Sequence, residues 1–285
     1  MAEVISDIAR MQQTAESLRL AGRRIAVVPT MGALHEGHLT LIRKARELAD
    51  VVIVTVFVNP LQFGTGEDLE RYPRDLDRDA SLASAAGASY IFAPSAGDMY
   101  PKGFRTSVEA GSLATVLEGR SRPGHFRGVA TVVVKLLNLT RPHVAVFGQK
   151  DAQQVVIVRQ LIRDLNMMTD LVVVPIVREA DGLAMSSRNV YLTASQRAEA
   201  PILFRALQRG AEMVAGGERS AEGIIGEIGT LIRSRSGGVI DYISIADAVT
   251  LEEQSECRPG HQLLISLAVR FGTTRLIDNI QVTPA

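Results

Sequence analysis

Two histidines, His35 and His38, stand three residues apart in the segment PTMGALHEGH, after an apolar run and before a helical pattern. Gly32 and Gly37 have the G-x-x-x-x-G spacing of a phosphate loop. The residues that follow do not complete one. His38 occupies the place of the lysine that would reach the phosphates, and Leu39, with no ligand atom, replaces the hydroxyl that would hold Mg²⁺. What is left is a strand, a glycine turn and a helix N-terminus, which offers backbone N–H groups and partial positive charge to an anion. Imidazoles of ordinary pKa, ~6.5, can donate hydrogen bonds to a triphosphate there and stabilise charge that builds in a transition state. A helix-capping or surface pair is the plainer reading. A zinc site is the other rival, although H-x-x-H is not the H-E-x-x-H spacing and no cysteine is near.

Further polar residues follow other apolar runs. Asn59 and Gln62 lie in NPLQFG, and Lys150, Asp151 and Gln154 lie in GQKDAQQ at the start of a helical pattern. Asp151 there is a natural N-cap, whereas a cation such as Lys150 opposes the helix dipole and calls for an anionic ligand. MSSR, residues 185–188, supplies Ser186, Ser187 and the Arg188 guanidinium, a set suited to phosphate. SRPGHFRG, residues 121–128, is bounded by glycine and could fold over a site as a lid. The DLDRD segment offers Asp75, Asp77 and Asp79 for a hydrated Mg²⁺, against the plainer reading of an acidic helix start.

These segments need strands and helices to place them. IAVVP, VVIVTVFV, SYIFA, HVAVF and DLVVVPIV are nearly unbroken apolar runs, as expected of strands covered on both faces. Helical patterns lie between them, each long enough for a right-handed crossover. The expected fold is therefore α/β, a doubly wound parallel sheet over residues 1–177, with ligands beyond the carboxyl ends of its strands. No G-x-G-x-x-G follows any strand, so a dinucleotide fingerprint is missing. Residues 178–285 read as a smaller α+β domain: one helix over 194–217, a second over 220–235, then three strand-like runs. The first twenty residues read as helical, and Asp7 and Arg10 break any signal-peptide core.

Composition narrows the function further. Lys+Arg and Asp+Glu both number 31 among 285 residues, so no net charge draws the chain to nucleic acid or an anionic membrane. The longest strongly apolar run falls well short of the roughly 20 residues of a spanning helix. A single cysteine excludes an internal disulfide and suits a reducing compartment, so a cytoplasmic protein is expected.

Taken in order, PTMGALHEGH, VFVNPLQF, YPR, LEGRSRPGHFRGVATVV, FGQKDAQQ, READGLAMSSRN and TTRLIDN resemble the pantothenate synthetase (pantoate–β-alanine ligase) family. That family belongs to the class I aminoacyl-tRNA-synthetase-like nucleotidyltransferases, with a Rossmann-like domain and a histidine motif. The resemblance implies adenylation of (R)-pantoate by Mg-ATP with loss of pyrophosphate, then attack by β-alanine on pantoyl adenylate to give pantothenate and AMP. It implies that His35, His38, Lys150 and Arg188 serve catalysis. ATP would lie along Met31, Gly32, Ala33, Leu34, His35, Glu36, Gly37 and His38, with Gly148, Gln149, Lys150 and Asp151, Val177 and Met185 to Arg188. Gln62 and Gln154 would hold pantoate, with Asn59 close by. Asp79 and Asp77 would stand near the Mg²⁺. A homodimer with the smaller domain as a mobile cover is implied as well. Gln149 and Ala152 depart from the family pattern, which usually has glutamate and an aromatic residue there. The nearest alternative is a related nucleotidyltransferase activating a different small acid, which would share the histidines and MSSR but lack the paired glutamines. Zinc hydrolysis and nucleotide binding without chemistry are the remaining rivals.

Overall fold

A computed structural model describes all residues, 1–285. The chain divides into two compact units, Met1–Gln149 with Ile157–Pro175, and Lys150–Val156 with Ile176–Ala285.

The first unit is built on six parallel strands: β1 (Glu3–Ile5), β2 (Ile25–Thr30), β3 (Val51–Val56), β4 (Tyr90–Phe92), β5 (Val144–Gly148) and β6 (Asp170–Val174). Their order across the sheet is β1-β4-β3-β2-β5-β6. The helices α1 (Ile8–Leu20), α2 (Glu36–Leu48), α3 (Leu76–Ala86), α4 (Ala96–Met99), α5 (Glu118–Ser121), α6 (His125–Thr140) and α7 (Ala152–Asp164) connect them. β2 is buried at Ile25, Ala26, Val27 and Val28 and β3 from Val51 to Val54, so side chains pointing to either face leave water. This is why these strands read as unbroken apolar runs rather than alternating ones. One packing layer joins Ile42 and Ala45 of α2 and Ala83 of α3 to Val28, Val54 and Val146. The chain builds outward from β2 in one direction through β3 and β4, and in the other through β5 and β6. The topological switch therefore lies between β2 and β5, where open α/β sheets form their ligand crevice.

Two sequence expectations are corrected in this unit. The N-terminal segment is not helical throughout, because Glu3–Ile5 pairs in parallel with β4 and buries Ile5, and Asp7 then caps α1 by accepting the Arg10 N–H. A three-residue edge strand carries too little pattern to be read against the helix beside it. The run DLVVVPIV stops pairing at Val174, since Pro175 has no N–H to donate to the ladder.

The second unit carries an antiparallel sheet, β7 (Val239–Asp247), β8 (Leu263–Phe271) and β9 (Thr274–Val282), packed on α9 (Ile202–Ala215) and α10 (Ala221–Arg235). Leu203, Leu207, Ile224 and Ile228 of the helices meet Ile265, Leu267 and Val269 of β8, and Cys257 is buried among them. Gly210 lets the helices close up, because a Cβ there would stand 2.7 Å from the Ile228 side chain. The helix expected over 194–217 is two helices, α8 (Ala194–Glu199) and α9, divided at Pro201, whose ring and missing N–H interrupt the helical ladder. Thr193 and Gln196 form a capping box at α8.

Candidate active site

In the first unit the strand-to-helix turn after β2 is held from two sides. Thr30 donates its hydroxyl to Thr55 O at 2.6 Å and accepts the Gly32 N–H at 3.1 Å, stapling the turn to β3. Asp79, from the first turn of α3 and 1% exposed, accepts the N–H groups of Ala33 and Leu34, one on each carboxylate oxygen at 2.8 Å. Gly32 has φ +82, and a Cβ on it would meet Asp79 Oδ2 at 2.9 Å, so glycine is required twice over. Ala33 accepts a left-handed φ of +50 to complete the turn. Glu36 and Gly37 then open α2.

His35 is the N-cap of α2. Its N–H donates to His38 Nδ1 at 3.3 Å, and the two rings lie 4.1 Å apart, centroid to centroid. A neutral imidazole that accepts at Nδ1 carries its proton on Nε2, so His38 is a donor at that edge. The helix-capping reading is thus correct for His38, and the capping bond sets the tautomer that an oxyanion needs. Beside this turn, at the carboxyl ends of β2, β3 and β4, lies a cleft of about 450 Å³ lined by Met31, Gly32, Val56, Phe57, Leu69 and Asp79 among others.

A second cluster surrounds Gln62. Asn59 is buried and donates through Nδ2 to Gly128 O and to Gln62 Oε1, both at 3.1 Å. Its Oδ1 accepts from Leu61 N and from the Tyr100 hydroxyl at 2.8 Å. Gln62 Nε2 lies 3.1 Å from the Met31 sulfur. Gly128 is what lets α6 press on this corner, since a Cβ there would stand 2.2 Å from Leu61 O. The segment expected to act as a lid has another role. His125 Nδ1 is 2.7 Å from Gln62 O, and Arg122 donates to Gln62 O and, through Nε and Nη2, to both oxygens of Glu67 at 2.7 Å. Burial and the neighbouring Arg122 hold His125 down at about 4, so the ring is neutral and braces the Gln62 backbone as a donor.

The two carboxylates expected near a hydrated Mg²⁺ are placed differently from one another. Asp79 faces inward and gives each oxygen to a backbone N–H, Asp77 is exposed on the same helix, and no three His, Cys, Asp or Glu side chains converge anywhere. Asp79 shapes the histidine turn.

The remaining candidates lie at the β5 end and in the second unit. Gly148 closes β5, and Gln149, Lys150 and Asp151 form a single 3-10 turn leading into α7. Ala152 is buried and Gln154 is partly exposed in the first turn of that helix. Asn279, from β9, donates to Lys150 O at 3.0 Å and fixes the backbone that carries the lysine. READGLAMSSRN is a tight hairpin: Arg178 pairs with Ala184, Gly182 turns at φ +95, and Met185 N–H donates to Val177 O. Ser186 caps the turn Ser187–Tyr191 by accepting the Arg188 N–H. The base of the hairpin is anchored by Arg178, which donates to both oxygens of the buried Asp278 at 2.7 and 2.9 Å and lies 3.6 Å over the Phe204 ring. Sequence reasoning passed over Thr30, Thr55, Tyr100, Glu67, Arg178 and Asp278. READGLAMSSRN contains Arg178, and TTRLIDN contains Asp278 and Asn279, with nothing in their spacing to mark them.

Comparison with known proteins decides what this arrangement belongs to. Residues 3–281 match the family model described as pantoate-beta-alanine ligase. The chain belongs to the pantoate–β-alanine ligase family. It is 53% identical over 279 residues to the pantothenate synthetase of Heliobacterium modesticaldum, covering 98% of this chain and 99% of that one. It is 51% identical over 280 residues to that of Chlorobium chlorochromatii, covering 98% and 96%. Among solved structures, pantothenate synthetase from Thermus thermophilus superposes with a TM-score of 0.92 at 44% identity, covering 99% of this chain and all of that one. The ligase from Francisella tularensis, complexed with β-γ ATP and β-alanine, superposes at 0.82 with 34% identity over the full length of both chains. This member of the ligase family is therefore an enzyme joining a carboxylic acid to an amine, and the zinc-hydrolase and chemistry-free readings fall away.

Proposed function

We propose that the chain condenses (R)-pantoate with β-alanine in two steps, using Mg-ATP as substrate, and that its residues act mainly by position and charge. A carboxylate is a poor acyl donor, because its leaving group would be oxide. In the first step a pantoate carboxylate oxygen attacks the α-phosphorus, the bond to the β-phosphate oxygen breaks, and pyrophosphate leaves. In the second, the β-alanine nitrogen attacks the acyl carbon of pantoyl adenylate, the carbon–oxygen bond breaks, AMP departs, and the amine proton passes to solvent.

The observation that carries this reading is the preset histidine turn. His38, with its proton placed on Nε2, and His35 sit at a helix N-terminus whose N–H groups and dipole favour an anion. We assign them to the phosphates of ATP, where they stabilise charge as pyrophosphate separates. Lys150, Ser186, Ser187 and Arg188 are assigned to the same phosphates, Gly148, Gln149 and Asp151 to the ribose side, and Val177 with Met185 to the base. Gln62 and Gln154 are assigned to pantoate. Mg²⁺ arrives on the nucleotide. None of the residues assigned to the site is a cysteine, and a reaction run by orientation and electrostatics needs no covalent nucleophile. We also assign the enzyme to the cytoplasm as a homodimer, on the strength of its resemblance to the family.

Pantoate labelled with ¹⁸O in its carboxylate tests the route. One labelled oxygen appears in AMP if the adenylate forms. Label in inorganic phosphate, with ADP as the nucleotide product, would point to an acyl phosphate instead.

A further inference from the structure

The amide of Gln62 can be oriented without reference to any substrate. Asn59 faces one unambiguous donor, the Leu61 N–H, and one unambiguous acceptor, Gly128 O. Its Oδ1 and Nδ2 are therefore fixed in place. The Tyr100 hydroxyl, 2.8 Å from Oδ1, can only donate to it. The second Nδ2 proton points at the Gln62 side chain, so the atom facing it must be Oε1. Gln62 is thereby obliged to present its NH₂ group on the Met31 side of the corner. Each bond in this row polarises the next in the same sense, which sharpens the final donor.

We propose that Tyr100 is a positioning residue for the acid substrate, fixing through Asn59 the face of Gln62 that donates to a pantoate oxygen. The assignment rests on the reading of Gln62 as a pantoate-binding residue. Tyr100 suits the role in two further respects. Burial raises its pKa well above the usual phenol range, so it stays a donor at any working pH. Its ring is held by Phe57 and Phe104, at 6.1 and 5.1 Å, while Lys135 Nζ sits 5.0 Å over the Phe104 ring and 5.8 Å over the Tyr100 ring. Removing only the hydroxyl thus keeps the packing that places the residue.

The test is a cycle of Tyr100→Phe, Gln62→Ala and the double variant, each assayed for KM of pantoate, KM of ATP, kcat and Tm. Tyr100→Phe is expected to raise the pantoate KM about fivefold to tenfold, the loss of roughly one hydrogen bond, with ATP KM and kcat within about twofold. In the Gln62→Ala background the same change should move pantoate KM by less than about twofold, because the residue it acts through is gone. A Tyr100→Phe enzyme with unaltered pantoate KM would overturn the proposal, and so would a full effect persisting without Gln62. If Gln62→Ala itself leaves pantoate KM unchanged, the pantoate assignment of Gln62 fails, and the role of Tyr100 fails with it. A raised KM in Gln62→Ala alone would leave that assignment standing and remove only Tyr100.

Discussion

The histidine turn and the MSSR hairpin are assigned to the same phosphates, yet they are built by opposite means. The turn is local: a strand, Gly32, two histidines and a helix start follow one another within a few residues, and a single carboxylate, Asp79, locks the backbone. The hairpin owes its place to partners far along the chain, with Arg178 tied to Asp278 a hundred residues away. Lys150 depends in the same way on Asn279. A turn of contiguous residues is held by side chains that bond its backbone directly, here Thr30 and Asp79. A site carried on a loop needs a buried anchor, here an ion pair whose carboxyl burial pushes up and Arg178 opposes.

The contrast makes predictions that differ in size. The largest concerns the chemistry itself: His38→Ala lowers pantoate-dependent ATP cleavage by about a thousandfold, with Tm nearly unchanged, since the side chain stabilises a transition state and carries little of the core. A well-folded variant with near-normal turnover would remove His38 from the reaction. Next comes Asp79→Asn, which sets an amide donor against one of the two N–H groups of the turn. It should cost about 2 kcal/mol in urea unfolding and about a hundredfold in kcat, because the histidines shift while remaining present. Loss of stability with normal kcat would show that the carboxylate holds the turn without aiming it.

Breaking the other region should be harsher on folding than on rate. Asp278→Asn leaves the Arg178 guanidinium half-buried against an uncharged partner, and about 3 kcal/mol of stability should be lost. The hairpin loosens rather than loses its phosphate ligands, so the expected rise in ATP KM is only about tenfold. The reverse order, with Asp278→Asn milder than Asp79→Asn in unfolding, would undo the distinction between the two regions.

The smallest effect at neutral pH is carried by His125. Its pKa is lowered from the ordinary 6.5 to about 4 in the folded chain, so between those values the unfolded chain binds the extra proton. Stability is therefore complete above about pH 6.5 and falls as the pH drops toward 4, by about 2 to 3 kcal/mol from this residue. Unfolding followed from pH 7 to pH 4 should show a slope that His125→Gln reduces. An unchanged slope would mean that the ring is already solvated.

How much of this could be read from the chain alone follows the same division. The parallel sheet was legible because strands buried on both faces leave long apolar runs, and the histidine turn because its parts are consecutive. Gln62 and Asn59 were legible as residues following a strand. Tyr100, which orients them, comes from a helix end some forty residues on and carries no motif of its own. Asp79 allowed two readings, a place near a hydrated Mg²⁺ and an acidic helix start, because such a start looks the same whether its carboxylates meet water, an ion or a neighbouring turn. SRPGHFRG looked like a lid because glycine, arginine and histidine suit a mobile loop; Gly128 instead serves the close approach of α6 to Leu61. Such identities depend on which segments meet, and spacing along one segment does not contain that.

The central claim, that an acyl adenylate is made by charge stabilisation at the histidine turn, is tested most directly by exchange of labelled pyrophosphate into ATP. The assay contains pantoate and Mg²⁺ and omits β-alanine. Exchange that requires pantoate and collapses in His38→Ala is the predicted result. A folded enzyme that makes pantothenate and binds ATP, yet shows no exchange until β-alanine is added, would contradict it and place amine attack before or together with loss of pyrophosphate.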